Sequence, residues 1–170
     1  VETWSLAGLS LGGWMALQYA AAYPRRVNCL IMLCPGGLAR EKMGFRFKAM
    51  LNRLTGNRGK QKLLQSVLSE KTQDEGLKKG LMFTLMIGRH FNPRMAKLPI
   101  VDGETLARLT MPVLIVFGEK DPLLRPEASI RRLKRYAPKV RADVLPGVGH
   151  AVVGQAARIL EFIGKVDSRE

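Results

Sequence analysis

Cysteine and histidine are scarce in this chain, with two of each among 170 residues. Cys29 and Cys34 lie in one apolar run at an odd spacing, so a strand there points them to opposite faces and they cannot bridge each other. With no Cys or His pair at ligand spacing, the sequence argues against a structural zinc site. Aromatic residues make up only 6% of the chain. No stacking-aromatic array accompanies the basic residues, which argues against a nucleic-acid surface. No apolar run approaches the length of a membrane span, and Val1 opens no charged-then-apolar leader, so no membrane span is expected and the chain reads as cytoplasmic. Acidic residues are half as numerous as basic ones, 14 against 28, leaving a formal charge of +14. Residues 1–35, 36–105 and 106–170 carry +1, +8 and +5, so most of the excess lies in the middle. Those Lys and Arg are interleaved with apolar residues at helical spacing, as on a solvated helical surface. With 46% hydrophobic and 25% charged residues, the composition is that of one soluble globular domain.

What is present begins with Gly8-Leu9-Ser10-Leu11-Gly12. Residues 3–7 before it are short and mostly apolar, like a buried strand, and residues 13–23 after it have helical composition. A G-x-S-x-G in a strand-turn-helix context reads as a nucleophile elbow. Such a turn holds the serine in a strained backbone with its hydroxyl clear of the sheet. Gly8 and Gly12 are expected to carry no side chain where strand and helix cross. Ser10 then lies at a helix N-terminus, where the dipole favours negative charge, and the Leu11 N–H is a ready oxyanion donor. A plain glycine-rich turn, by contrast, would need no catalytic partners downstream.

The chain continues in alternation. Residues 27–34 form a continuous apolar run of the kind found in parallel strands buried on both faces, and Pro35-Gly36-Gly37 closes it. A strand, a crossover helix and a second parallel strand imply an α/β sheet with its site at the carboxyl ends of the strands. Residues 38–109 change character: many Lys and Arg, five of the eight Met, and amphipathic stretches without a strand pattern. This region reads as a helical lid inserted into a core made of residues 1–37 and 110–170. Helices are expected over residues 38–54 and 60–70, and Thr72 with Glu75 has the form of a capping box for a third. Met82 and Met86 on that third helix suit either core packing or an adaptable acyl pocket. His90, with no oriented acid partner, reads as a surface or lid histidine. The strand pattern returns at residues 113–118, followed by Glu119-Lys120-Asp121, a helix over 125–136, an edge strand over 140–145 and a glycine-rich loop ending in His150. A helix over 156–166 closes the chain, with Ile159, Leu160, Phe162 and Ile163 expected to face the sheet.

Ser10, Asp121 and His150 each follow an expected parallel strand, which brings them to one sheet edge despite separations of 111 and 29 residues. A serine hydroxyl needs a base, histidine is suited to that role near neutral pH, and a carboxylate must hold the imidazole tautomer and balance its cation. Asp121 is taken as the acid, with Glu119 its nearest competitor.

On the elbow with Gly13, the strand and acid turn over residues 111–121, and Gly147-Val148-Gly149-His150, the chain resembles the serine hydrolases of the α/β-hydrolase fold, esterase-like and from the nucleophile-elbow strand onward. The resemblance implies a parallel sheet flanked by helices, a helical lid after the second strand here, and no cofactor. It also implies cleavage of a small-molecule ester by Ser10, His150 and Asp121, with Leu11 in the oxyanion hole and Leu9, Met82 and Met86 contacting substrate. Carbon–carbon bond or thioester hydrolysis on the same fold is the alternative within the family. Outside it stands an inactive truncated fragment or a basic binding module. Family members usually carry further strands before the elbow, so the chain reads as a fragment or natural truncation. Its elbow strand would then expose an edge that invites self-association.

Overall fold

The apolar runs over residues 27–33 and 113–118 become strands because each can bury both of its faces. A computed structural model describes residues 2–44, 76, 79, 80, 82, 83, 86, 87, 98–137 and 139–168. Strands β1 (Trp4–Leu9), β2 (Val27–Leu33), β3 (Val113–Gly118) and β4 (Val140–Leu145) form a parallel sheet in the order β1-β2-β3-β4. Its helices are α1 (Leu11–Ala22), α2 (Gly103–Ala107), α3 (Pro126–Tyr136) and α4 (Ala156–Asp167), with a short 3-10 turn at Pro24–Arg26. Pro24 ends α1 by withholding an amide donor and so turns the chain into β2.

The centre of the sheet is the core. Every residue of β3 is buried, and Leu30, Ile31 and Met32 of β2 are fully so. Helices α1 and α4 both pack on β2, and α3 packs on β3 and β4. Leu17 and Ala20 of α1, Leu106 of α2 and Leu133 of α3 complete the same cluster. Each large aliphatic side chain removed from water there contributes about 1.5–3 kcal/mol. The outer strands differ: β4 alternates half-buried with exposed positions, and β1 is largely exposed, Trp4 at 54% and Leu9 at 45%. No helix among the described residues is long and apolar enough to cross a membrane.

Three expectations are corrected. Leu160 is 67% exposed, whereas Phe162 and Val166 are buried and Ile159 and Ile163 pack against the core. The turn of about 100° per residue that puts Ile159 and Phe162 on one face carries Leu160 off it. Second, helical geometry begins at Met43 rather than Leu38. Leu38 is fully buried in the core, and the Lys42 N–H is used 2.8 Å from the Leu123 carbonyl, so these residues are held by tertiary partners before a helix can start. Third, Met82 and Met86 are 71% and 53% exposed, which sets aside core packing for both. The described residues from 76 to 87 are helical. The helix expected over 60–70, the capping box at Thr72 and Glu75, and His90 lie outside the described residues.

At the elbow the tight glycines are Gly8 and Gly13. A Cβ on Gly8 would lie 2.3 Å from the Gly12 carbonyl oxygen and 2.6 Å from the Gly13 nitrogen, and one on Gly13 would lie 3.0 Å from Pro35 Cβ. A Cβ on Gly12 would meet nothing within 4 Å among the described residues, so strand and helix cross on the backbone of Gly12 and its missing side chain is not what permits the crossing. Gly8→Ala should therefore destabilise the protein by more than about 2 kcal/mol through a forced backbone shift. Gly12→Ala should stay within about 1 kcal/mol of the parent, since alanine is the better helix former. Urea unfolding of the two variants checks the contrast, and equal losses would contradict it.

Candidate active site

Each strand's carboxyl end carries the next residue onto the site edge. Ser10, between β1 and α1, has φ 52° and ψ −111°, a left-handed conformation that costs a non-glycine residue about 1–3 kcal/mol. Backbone bonds hold it there: its N–H donates to the Leu33 carbonyl at 2.8 Å, and its own carbonyl accepts from Trp14 at 3.1 Å and Gly36 at 3.4 Å. Asp121 lies in the turn after β3 and is fully buried. One of its carboxylate oxygens accepts the N–H groups of Leu123 at 2.8 Å and Leu124 at 3.0 Å. The other lies 2.7 Å from His150 Nδ1, and His150 Nε2 lies 2.9 Å from Ser10 Oγ. The three residues expected from sequence are thus joined in one hydrogen-bonded line.

The carboxylate fixes the proton positions along that line. Facing an acceptor that carries no proton, Nδ1 must donate, which leaves Nε2 as the acceptor for the serine hydroxyl. Burial acts to raise the Asp121 pKa, but the hydrogen bond and charge of His150 and the N–H groups of Leu124 and Leu123 outweigh it and hold the carboxyl below its ordinary value. Stability drawn from this ionised carboxylate is therefore present above the ordinary Asp range and is lost as pH falls through the lower folded value. Glu119 serves the loop instead, its carboxylate accepting the Gly147 N–H at 2.8 Å and tying the end of β3 to the segment that leads to His150.

Cys34 follows β2 at the same edge with φ 43°, and its sulfur lies within 4.8 Å of donor atoms of Asp121 and His150. That trio has the residue types of a metal site. Yet the Asp121 and His150 atoms already bond each other, and burial first of all pushes the Cys34 thiol up to about 12, so it stays protonated. The arrangement is suited to proton transfer rather than to cation binding. Leu11 opens α1, where the first-turn N–H groups have no partner within the helix, and its side chain is 52% exposed. Leu9, Met82 and Met86 are exposed apolar side chains.

Several site-forming residues carried no sequence signal. A Cβ on Gly118 would fall 2.0 Å from the Gly149 carbonyl oxygen, so the end of β3 and the histidine loop are packed backbone to backbone. The only hint was glycine recurring at both a strand end and the loop it meets. Arg132 of α3 donates to the Leu38 and Val101 carbonyls, and the Val101 N–H donates to the Gly37 carbonyl at 2.8 Å. Lys42 donates through Nζ to the Asp121 carbonyl at 2.7 Å. Such long-range bonds from basic side chains to carbonyls leave no periodic trace.

A parallel sheet flanked by helices with a strained serine at its edge is the architecture of α/β hydrolases, and the family model described as the alpha/beta hydrolase family matches residues 5–162. The chain belongs to that family. It is 25% identical over 158 residues to a Bacillus subtilis protein described as the uncharacterized carboxylesterase nap, covering 89% of this chain and 52% of that protein. Against the human monoacylglycerol lipase ABHD6 it is 25% identical over 191 residues, covering 97% of this chain and 56% of the lipase. The solved structure of carboxylesterase CesB (YbfK) from Bacillus subtilis superposes with a TM-score of 0.76 at 23% identity, over 96% of this chain and 60% of that one. The chain spans about half the length of the curated relatives it matches, 52% of each of two carboxylesterases.

A thiol held near pKa 12 is thiolate to only about one part in ten thousand at pH 8. Cys34 should accordingly resist iodoacetamide in the folded protein and react once the protein is unfolded in urea. Mass mapping of the alkylated peptides reads the difference, and rapid modification of native Cys34 would contradict its burial.

Proposed function

We propose that this protein is a serine hydrolase that cleaves carboxylic esters, forming an acyl-enzyme on Ser10. The observation that carries the reading is the continuous line from Ser10 Oγ through His150 to the buried, ionised Asp121. His150 Nε2 takes the hydroxyl proton as Ser10 attacks the ester carbonyl, and Asp121 holds the imidazole in place and balances the cation that forms. The Leu11 N–H and the positive end of α1 meet the oxyanion. His150 then returns the proton to the departing alcohol, and a water activated by the same nitrogen releases the acid.

An uncharged ester with an apolar acyl group fits the surroundings. Leu9, next to Ser10 in the chain, has an exposed apolar side chain, and we read the exposed Met82 and Met86 as further acyl contacts. A cavity of about 350 Å³ lined by Gly37, Ala39, Met43, Leu98 and Ile100, with Arg40 and Glu41, lies where the segments on either side of the insertion meet. We read residues 38–109 as the lid over this site. The carboxylesterase relatives favour ester substrates over the carbon–carbon and thioester alternatives.

A fluorophosphonate probe should label Ser10 and fail to label Ser10→Ala; equal labelling would remove the assignment. Asp121→Asn should lower kcat by about a thousandfold or more through the wrong imidazole tautomer while the protein stays folded. Glu119→Gln should retain most activity, and the reverse ranking would transfer the acid role to Glu119.

Self-association belongs to the same reading. β1 is an outer strand of the described sheet, and Leu11, Met15 and Tyr19 of α1, with Tyr23 just past its end, form an exposed stripe at four-residue spacing beside it. Light scattering of the purified 170-residue chain should give a mass that rises with concentration. A monomer at every concentration would count against an open edge.

A further inference from the structure

The acid Asp121 is placed by a turn with little regular structure of its own. Residues 119–125 belong to no helix or strand, and the carboxylate depends on the N–H groups of Leu123 and Leu124. Those two amides point correctly only while residues 121–124 keep their shape. The carbonyls of that segment are engaged from elsewhere: Lys42 Nζ reaches the Asp121 carbonyl at 2.7 Å, and the Lys42 backbone N–H reaches the Leu123 carbonyl at 2.8 Å. One residue thus grips the acid turn at two points from 79 residues away in sequence.

Lys42 is itself fixed. It stands four residues past Leu38, whose fully buried side chain and Arg132-bound carbonyl anchor the chain where it leaves the sheet. The Gly37 carbonyl takes the Val101 N–H, and Arg132 also takes the Val101 carbonyl, so the two strands of the stem are clamped together next to this grip. The bond from Lys42 Nζ is charge-assisted and part-buried, and such bonds are about twice as strong as neutral ones.

We infer that Lys42 is a positioning residue that holds the Asp121 turn, so that the base of the insertion sets the alignment of the acid with His150. The inference rests on the Ser10–His150–Asp121 reading above and deepens it. Lys42 bonds the backbone carbonyls of Asp121 and Leu123 rather than the side-chain line from Ser10 to Asp121; it acts through the peptide units that aim the carboxylate. Residues 38–42 then have a reason to remain irregular, since a helix starting at Leu38 would withdraw the Lys42 N–H into its own ladder.

A double-mutant cycle on hydrolysis of p-nitrophenyl butyrate tests this. Lys42→Met keeps the aliphatic stem and removes the donor. It should lower kcat by about tenfold to a hundredfold, the scale of a small misplacement of a catalytic group, with KM within about twofold. Lys42→Arg, which retains a cationic donor, should recover most of the loss. In an Asp121→Asn background the same Lys42→Met change should cost less than about twofold, because the charge it positions is already gone. Should Lys42→Met not fold, Lys42→Gln serves in both backgrounds. A loss of equal size with and without Asp121, or no loss in the parent protein, overturns the inference and leaves the triad standing. Full activity of Asp121→Asn alone instead removes the triad reading on which the inference rests.

Discussion

The parallel hydrogen-bond ladder runs one residue past the ends of β1, β2 and β3, and the site's geometry depends on that overrun. Ser10 N–H donates to Leu33 at the end of β2, Cys34 N–H donates to Val116 in β3, and Glu119 N–H donates to Leu145 at the end of β4. Each bond fixes the first residue after one strand to the neighbouring strand, so the three turns leave the sheet in register along a common edge. The strand register does the rest: Leu9 is opposite Leu33, Leu33 opposite Val116, and Gly118 opposite Leu145. A slip of one residue in any pair would reverse which face each side chain takes and separate Ser10 from His150. The fully buried β3 guards against this, because any shift would pull apolar side chains out of the core.

Two unfavourable terms are built into this edge, and each has an identifiable offset. The left-handed conformation of Ser10 is held by one bond through its N–H and two through its carbonyl. Asp121 loses its hydration shell completely, and two amides and an imidazole replace it. A buried carboxylate without such partners would take up a proton and cease to orient the histidine. With them its pKa is depressed despite burial, which keeps the charge opposite the imidazole.

Much of this was legible in the sequence, for reasons particular residues make plain. The uninterrupted run over 27–34 and the run over 113–117 could only be strands covered on both sides, and Ser10, Asp121 and His150 sit just beyond strand ends, where one-dimensional order maps directly onto one edge. Gly8 was readable because the turn it serves is local. The failures have a common source in tertiary context. Leu160 is apolar and next to Ile159, so sequence alone put both inward, but the rotation of α4 admits only one of them. Gly12 shares the motif with Gly8, yet only the three-dimensional crossing distinguishes the glycine whose Cβ would collide from the one whose Cβ would not. Lys42 and Arg132 are two among 28 basic residues, and nothing in their neighbourhoods marks them as donors to distant carbonyls.

Order is not distributed evenly among the three site residues, and the difference follows from the strand order. Asp121 and His150 hang from β3 and β4, and a shared hydrogen bond and backbone contacts between Gly118 and the histidine loop hold them together. Ser10 hangs from β1, which among the described residues has one hydrogen-bonded neighbour and is mostly exposed. Among the described residues, burial and hydrogen bonding are thus concentrated at Asp121 and His150. The strain in Ser10 adds to this asymmetry, because release of β1 from β2 would relax the left-handed backbone at the same moment. Among the described residues, Ser10 is therefore held through the pairing of β1 with β2 and through its own three backbone bonds.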